Sequence, residues 1–125
     1  MSNSGPGYAT NPDHTVVAQP FKGRVVVEAN GKVLVDTEHA LEVREANYPP
    51  VYYVPRRDTR MTDLVSTDHH TGCPYKGQAS YFSIVGGAEN AVWSYEHPYD
   101  EVLSIREYLA FYPNRVDAIK VEPSA

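Results

Sequence analysis

Cysteine is nearly absent: Cys73 stands alone in 125 residues. A single thiol excludes an internal disulfide and any zinc site built on paired CxxC knuckles, and it suits a reducing compartment. No apolar run approaches the ~20 residues that cross a bilayer. The opening residues "MSNSGPGYATNPDHT" hold no apolar segment of the kind a secretory leader carries, so the expected location is cytoplasmic. Positive charge is also scarce. Eleven Lys and Arg face sixteen Asp and Glu, for a net charge of −5, and only "PRRDTR" is locally basic. A phosphate-neutralising surface is therefore disfavoured, and neither nucleic acid nor membrane is expected as a partner. The phosphate-binding pattern GxxxxGK[ST] is missing as well.

What the chain does have is tyrosine, ten of them, a ring that suits strands and the walls of pockets. Residues 1–13 are rich in Gly, Pro, Ser and Asn and read as a flexible tail. Residues 14–122 read as one β-rich domain, a size that can bury a single core. "HTVVAQP" (14–20) fits a first strand. In "GRVVVEANGKVLVDT" (23–37), two β-branched runs flank Asn30-Gly31, which predicts a hairpin with a two-residue turn, Val27 opposite Leu34 and Val26 opposite Val35. "ALEVRE" (40–45) alternates as a half-buried strand does. Pro49-Pro50 precedes a short strand over Val51 to Val54, and Pro55 opens a helical turn through Asp58. "RMTDLVST" (60–67) and "QASYFSIV" (78–85) read as strands separated by a "TGCPYKG" loop. Gly86-Gly87 turns the chain into "NAVWSYE", with Trp93 and Tyr95 on one face. "YDEVLSIREY" is the one credible helix, with Asp100 at its start and Val102, Ile105 and Leu109 on one stripe. "LAFYPNRVDAIKV" reads as a closing hairpin turning at Pro113-Asn114. The sum is a mainly β fold of two curved antiparallel sheets with one or two short helices.

The succession "VVEANGKVLVDTEHALEVREANYPPVYYVPRRD", "TGCPYKGQASYFSI", "AVWSYEHP" and "YLAFYPNRVDAI" resembles the bacterial and fungal family called domain of unknown function 427. The resemblance covers roughly residues 11–121. It implies a β-tent of the type seen in Mss4-like proteins, two antiparallel sheets meeting at a steep angle. β-Tents of that type hold zinc with four cysteines; with Cys73 alone, the metal does not carry over. The family bears a nucleotidyltransferase-like label, but the Gly-Ser turn and paired aspartates that label implies are not found. The resemblance directs attention to Glu45, Tyr52, Tyr53, Pro55, Asp58, Thr71, Cys73, Tyr75, Lys76, Gly77, Tyr81, Trp93 and Tyr95.

"TDHHTGCPYKGQASYFS" (67–83) has the look of a reactive site. Cys73 could act as a nucleophile beside Lys76 or a histidine, or be a small buried hydrophobe. Adjacent His69 and His70 point to opposite faces of a strand, so no metal is expected, nor any other cofactor. Glu45, if it faces inward, needs a cation, and Arg56, Arg57 or Lys76 could supply it. Asp58 most simply caps a turn. Three functions stay open. The chain could bind a small molecule or an extended peptide in an aromatic cleft formed by Glu45, Tyr52, Tyr53, Thr71, Cys73, Tyr75, Lys76, Trp93 and Tyr95. It could be an enzyme using Cys73 with Lys76 or a histidine. It could be an interaction module that pairs a sheet edge with a partner, or with a second copy as a homodimer.

Overall fold

The computed structural model describes residues 3–124, and every strand pairing among them is antiparallel. The strands are β1 (Val16–Pro20), β2 (Gly23–Ala29), β3 (Lys32–Thr37), β4 (Leu41–Glu45), β5 (Val51–Tyr53), β6 (Leu64–Cys73), β7 (Gly77–Ile84), β8 (Val92–Tyr95), β9 (Leu109–Phe111) and β10 (Ala118–Pro123). The fold is mainly β, as the sequence predicts. The strands divide into three sheets, ordered β1-β4-β5, β10-β2-β3 and β6-β7-β8-β9. Two of these are joined where Val54 and Leu109 exchange both backbone hydrogen bonds, each 2.8 Å.

The four-stranded sheet is covered on both faces. Val92, Leu109 and Phe111 look towards Val25, Val27 and Leu34 of the β10-β2-β3 sheet, forming a first core. Ala79, Tyr81, Tyr95 and Ala110 look the other way, towards Leu41, Val43 and Tyr53 of the β1-β4-β5 sheet, forming a second. Strand alternation explains the sorting, because successive residues serve opposite faces. Tyr52 and Tyr53 part in this way. Tyr53 is buried in the second core, and Tyr52 packs edge-on against Phe21 beside the first.

The Asn30-Gly31 turn forms as predicted, with φ of 53° and 73° and Ala29 opposite Lys32. The register beyond it does not: Val27 faces Val35, not Leu34, because one extra residue bulges out of β3 between the Glu28–Val33 and Val27–Val35 pairs. Strand β6 is longer than predicted. It runs through the expected loop to Cys73, pairing His70–Cys73 with Gly77–Ser80 after two extra residues in β6 shift the register. Gly and Pro content misleads there because Asp68 to Gly72 form an exposed edge that needs no apolar partner. The predicted helix is only two short 3-10 turns over Asp100–Ile105, since Val102 leaves helical dihedrals (φ −132°, ψ 32°). So short a segment is decided by packing, and both Val102 and Ile105 are buried in the second core. The closing hairpin is also corrected. β9 stays with β8, while β10 crosses over to pair with β2.

Residues 3–13, whose composition reads as a flexible tail, lie along the domain; residues 1 and 2 fall outside the described residues. α1 (Gly7–Thr10) is a single turn whose Gly7 N–H donates to Pro74 O at 3.0 Å. A Cβ on Gly7 would stand 2.6 Å from the Tyr75 ring, so only glycine allows this approach. Gly5 N–H and the Ser4 hydroxyl both donate to Glu101.

Gly31→Ala isolates the contribution of the turn. A Cβ there meets nothing within 4 Å, so the cost is the left-handed backbone alone, about 1 kcal/mol. Urea unfolding should show a lower midpoint with an unchanged slope.

Candidate functional site

Glu45 sits at the end of β4, on the side that also carries buried Leu41 and Val43. An acid on an apolar strand face must be compensated, and two residues distant in sequence do so. Lys76, in the turn between β6 and β7, donates to Oε1. His14 Nε2 lies 2.9 Å from Oε2. All three side chains are largely buried, at 21% exposure for Glu45 and 12% for each partner. Burial alone would raise the Glu45 carboxyl, but Lys76 and then His14 outweigh it and hold it below the usual glutamate range. Of the cations the sequence offered, Lys76 is the partner. Arg56 turns instead to Ser94, Glu96 and the Glu107 carbonyl.

This ion pair closes one end of a cleft of about 330 Å³ between the β1-β4-β5 sheet and the four-stranded sheet. Its walls are aromatic. Tyr53 and Trp93 meet edge to face at 6.2 Å, and the Trp93 Nε1–H donates to the Tyr53 hydroxyl at 3.1 Å. Tyr112 lies 4.5 Å from Trp93, and its outer face carries the Arg115 guanidinium at 4.6 Å. A chain of hydroxyls runs along one side, Thr71 Oγ1 to Tyr81 at 2.8 Å and Tyr81 to Tyr112 at 3.2 Å. Tyr95 completes the floor; its hydroxyl forms no hydrogen bond with another described residue. Burial pushes the phenols of Tyr53 and Tyr95 well above their ordinary value. Burial, then the hydrogen bond its hydroxyl shares with Tyr81, pushes Tyr112 up to about 12. At neutral pH these three phenols are uncharged donors.

The structure brings six of the nine expected site residues together: Glu45, Tyr53, Thr71, Lys76, Trp93 and Tyr95 all line the cleft. Three lie elsewhere. Tyr52 faces a separate apolar slot, and its hydroxyl donates to Glu42. Tyr75 stands behind the ion pair, stacked on His14 at 3.8 Å and touched edge-on by Tyr8. Cys73 is half-buried against the second core and opens onto a shallow hollow with His70, Gln78 and Tyr99. His69 packs edge-on against Tyr81. Asp58 accepts the Thr37 hydroxyl at 2.7 Å, tying its turn to β3. Sequence reasoning missed His14, which pairs with Glu45, and Tyr48 and Tyr112, which line the cleft. Tyr112 shares the parity of Ala110, which faces the second core, but that signal needs the partner strand to be known. His14 carries no local signal, since its partner lies 31 residues on.

Lys76→Met leaves a mostly buried carboxylate with His14 alone and should destabilise by about 2 kcal/mol. The double variant Glu45→Gln/Lys76→Met should recover much of that loss. Because the folded carboxyl titrates below the usual glutamate range, its stabilisation is complete above that range. It is lost as pH falls through the lower folded value. Chemical denaturation of wild type and Glu45→Gln across the acid range should show the two curves converging at the acid end.

Among the described residues no helix is long and apolar enough to cross a membrane, and no three His, Cys, Asp or Glu side chains gather to hold a metal ion. No curated protein matches the chain. A family model described as a domain of unknown function (DUF427) matches residues 17–122. That span takes in nearly every strand and, apart from His14, every residue of the cleft and its ion pair, and the chain belongs to this family.

Proposed function

We propose that this domain binds a small, uncharged, ring-bearing molecule in the aromatic cleft. One observation carries the reading. Lys76, the cation in the cleft wall, is already neutralised by Glu45, while the Tyr95 hydroxyl on the floor has no partner within the described residues. A phosphorylated or polyanionic ligand would have to compete with Glu45 for Lys76. A neutral ring has aromatic faces to stack on at Trp93 and Tyr112. It also has hydrogen bonds to make with Tyr95 and with the Thr71–Tyr81–Tyr112 hydroxyls, which favours orientation over charge as the basis of selection. The alternative, thiol chemistry at Cys73, has weaker support: Cys73 opens onto a different hollow, and Lys76 is turned towards Glu45.

Trp93 is the single tryptophan of the chain and lines the cleft, so its fluorescence responds to a ligand there. Nicotinamide, adenine and methyl β-glucoside should be compared with inorganic phosphate and ATP. At least one neutral ring is expected to give a saturable change. Tyr95→Phe should weaken its binding by about fivefold, the worth of one hydrogen bond, and Tyr112→Ala by roughly tenfold. Saturation by phosphate or ATP with no response to any neutral ring would overturn the reading.

A further inference from the structure

The chain on either side of the Val54–Leu109 bridge serves two hollows in turn. Pro49 and Tyr53 line the cleft, whereas Pro50 and Tyr52 line a second hollow of about 280 Å³. Across the gap, Tyr112 lines the cleft, whereas Phe111 and Pro113 line the second hollow. Beyond the one bridge, β5 and β9 do not pair. Val51 and Trp93 line both hollows.

The two hollows differ in chemistry. The far wall of the second is aliphatic, built from Val25, Val27, Ile119 and Val121 of the β10-β2-β3 sheet. The two hydroxyl or N–H groups on its rim are already engaged: Tyr52 donates to Glu42 at 3.1 Å, and Trp93 donates to Tyr53 at 3.1 Å. A polar group entering this slot would lose its water and find no side-chain partner in that lining. A hydrocarbon would lose nothing and gain by leaving water. The cleft beside it, in contrast, presents hydroxyls.

We propose that the ligand is an amphiphile in two parts, a neutral polar ring in the cleft and an apolar arm passing Val51 and Trp93 into the slot. The inference rests on the proposed binding of a neutral ring. It adds the class of molecule: a ring-bearing polar head that carries an alkyl or aryl substituent. The cleft, about 330 Å³, is at the small end of ordinary ligand sites and the slot, about 280 Å³, is just below it; together they lie well inside that range.

The test uses nicotinamide and N-hexylnicotinamide on the full chain. It reads Trp93 fluorescence for affinity and methyl NMR of Val25, Val27, Ile119 and Val121 for location. The alkylated probe should bind tighter by roughly fourfold for each methylene that enters the slot, with shifts at the slot methyls. Val121→Phe, which fills the slot, should remove that gain and leave nicotinamide affinity unchanged. Because a larger side chain could disturb β10, Pro113→Phe on the other side of the slot provides a second filled slot with the same expectation and leaves Trp93 the single tryptophan. If nicotinamide binds and the hexyl chain adds nothing, or the gain survives in both filled variants, the two-part ligand is wrong and the cleft reading stands. If nicotinamide leaves Trp93 unchanged while the hexyl probe shifts the slot methyls, or if neither probe binds, the two-part ligand is wrong, and the cleft reading is decided separately by adenine and methyl β-glucoside.

Discussion

The four-stranded sheet buries both of its faces, and the rest of the molecule is arranged to cover it. Val92, Leu109 and Phe111 require one apolar layer and Ala79, Tyr95 and Ala110 require another. A chain of this length supplies two layers by sending short strands to different sheets, so β10 leaves its neighbour in sequence and pairs with β2. The covering sheet on the second face is short. β5 has three residues, and where it stops covering, aromatic side chains of the central sheet are left facing a hollow. The cleft is in this sense the unfinished end of a core. That explains why its walls are rings and why Tyr53 and Tyr95 belong to both the core and the site.

Glu45 makes sense in the same frame. A carboxylate at an inward position on β4 interrupts the apolar face that Leu41 and Val43 begin. Its charge is stabilised only because the β6–β7 turn and the segment before β1 each bring a basic side chain to it. The ion pair therefore marks the boundary of the core, fixing how far the apolar layer extends. It also removes net charge from the adjoining space, leaving hydroxyl groups as the chief means of polar recognition.

Much of this was legible in the residues. The Asn30-Gly31 hairpin, the opposed faces of Tyr52 and Tyr53, the shared face of Trp93 and Tyr95, and the need of Glu45 for a cation all follow from strand alternation and burial cost. The parts that were not legible depend on which strands become neighbours. Nothing local separates Tyr75 from Lys76, yet the turn directs one outward to stack on His14 and the other into the cleft. The bulge in β3 shifts Leu34 against the expected register without a glycine to announce it. The exposed length of β6, Asp68 to Gly72, pairs through its backbone from His70 on and carries no aliphatic side chain, so a hydrophobic pattern cannot reveal it. Tyr112 follows a strand whose partner could be assigned only from the fold.

The contact between Val54 and Leu109 gains weight from its isolation. Both residues are almost wholly shielded, at 1% and 0% exposure, and their reciprocal bonds are the one rung between β5 and β9. With a single rung between the backbones, the rest of the span between these two sheets is held by side chains, the Trp93–Tyr53 hydrogen bond and the Lys76–Glu45 pair among them, so the spacing of the hollow is set by the residues that line it.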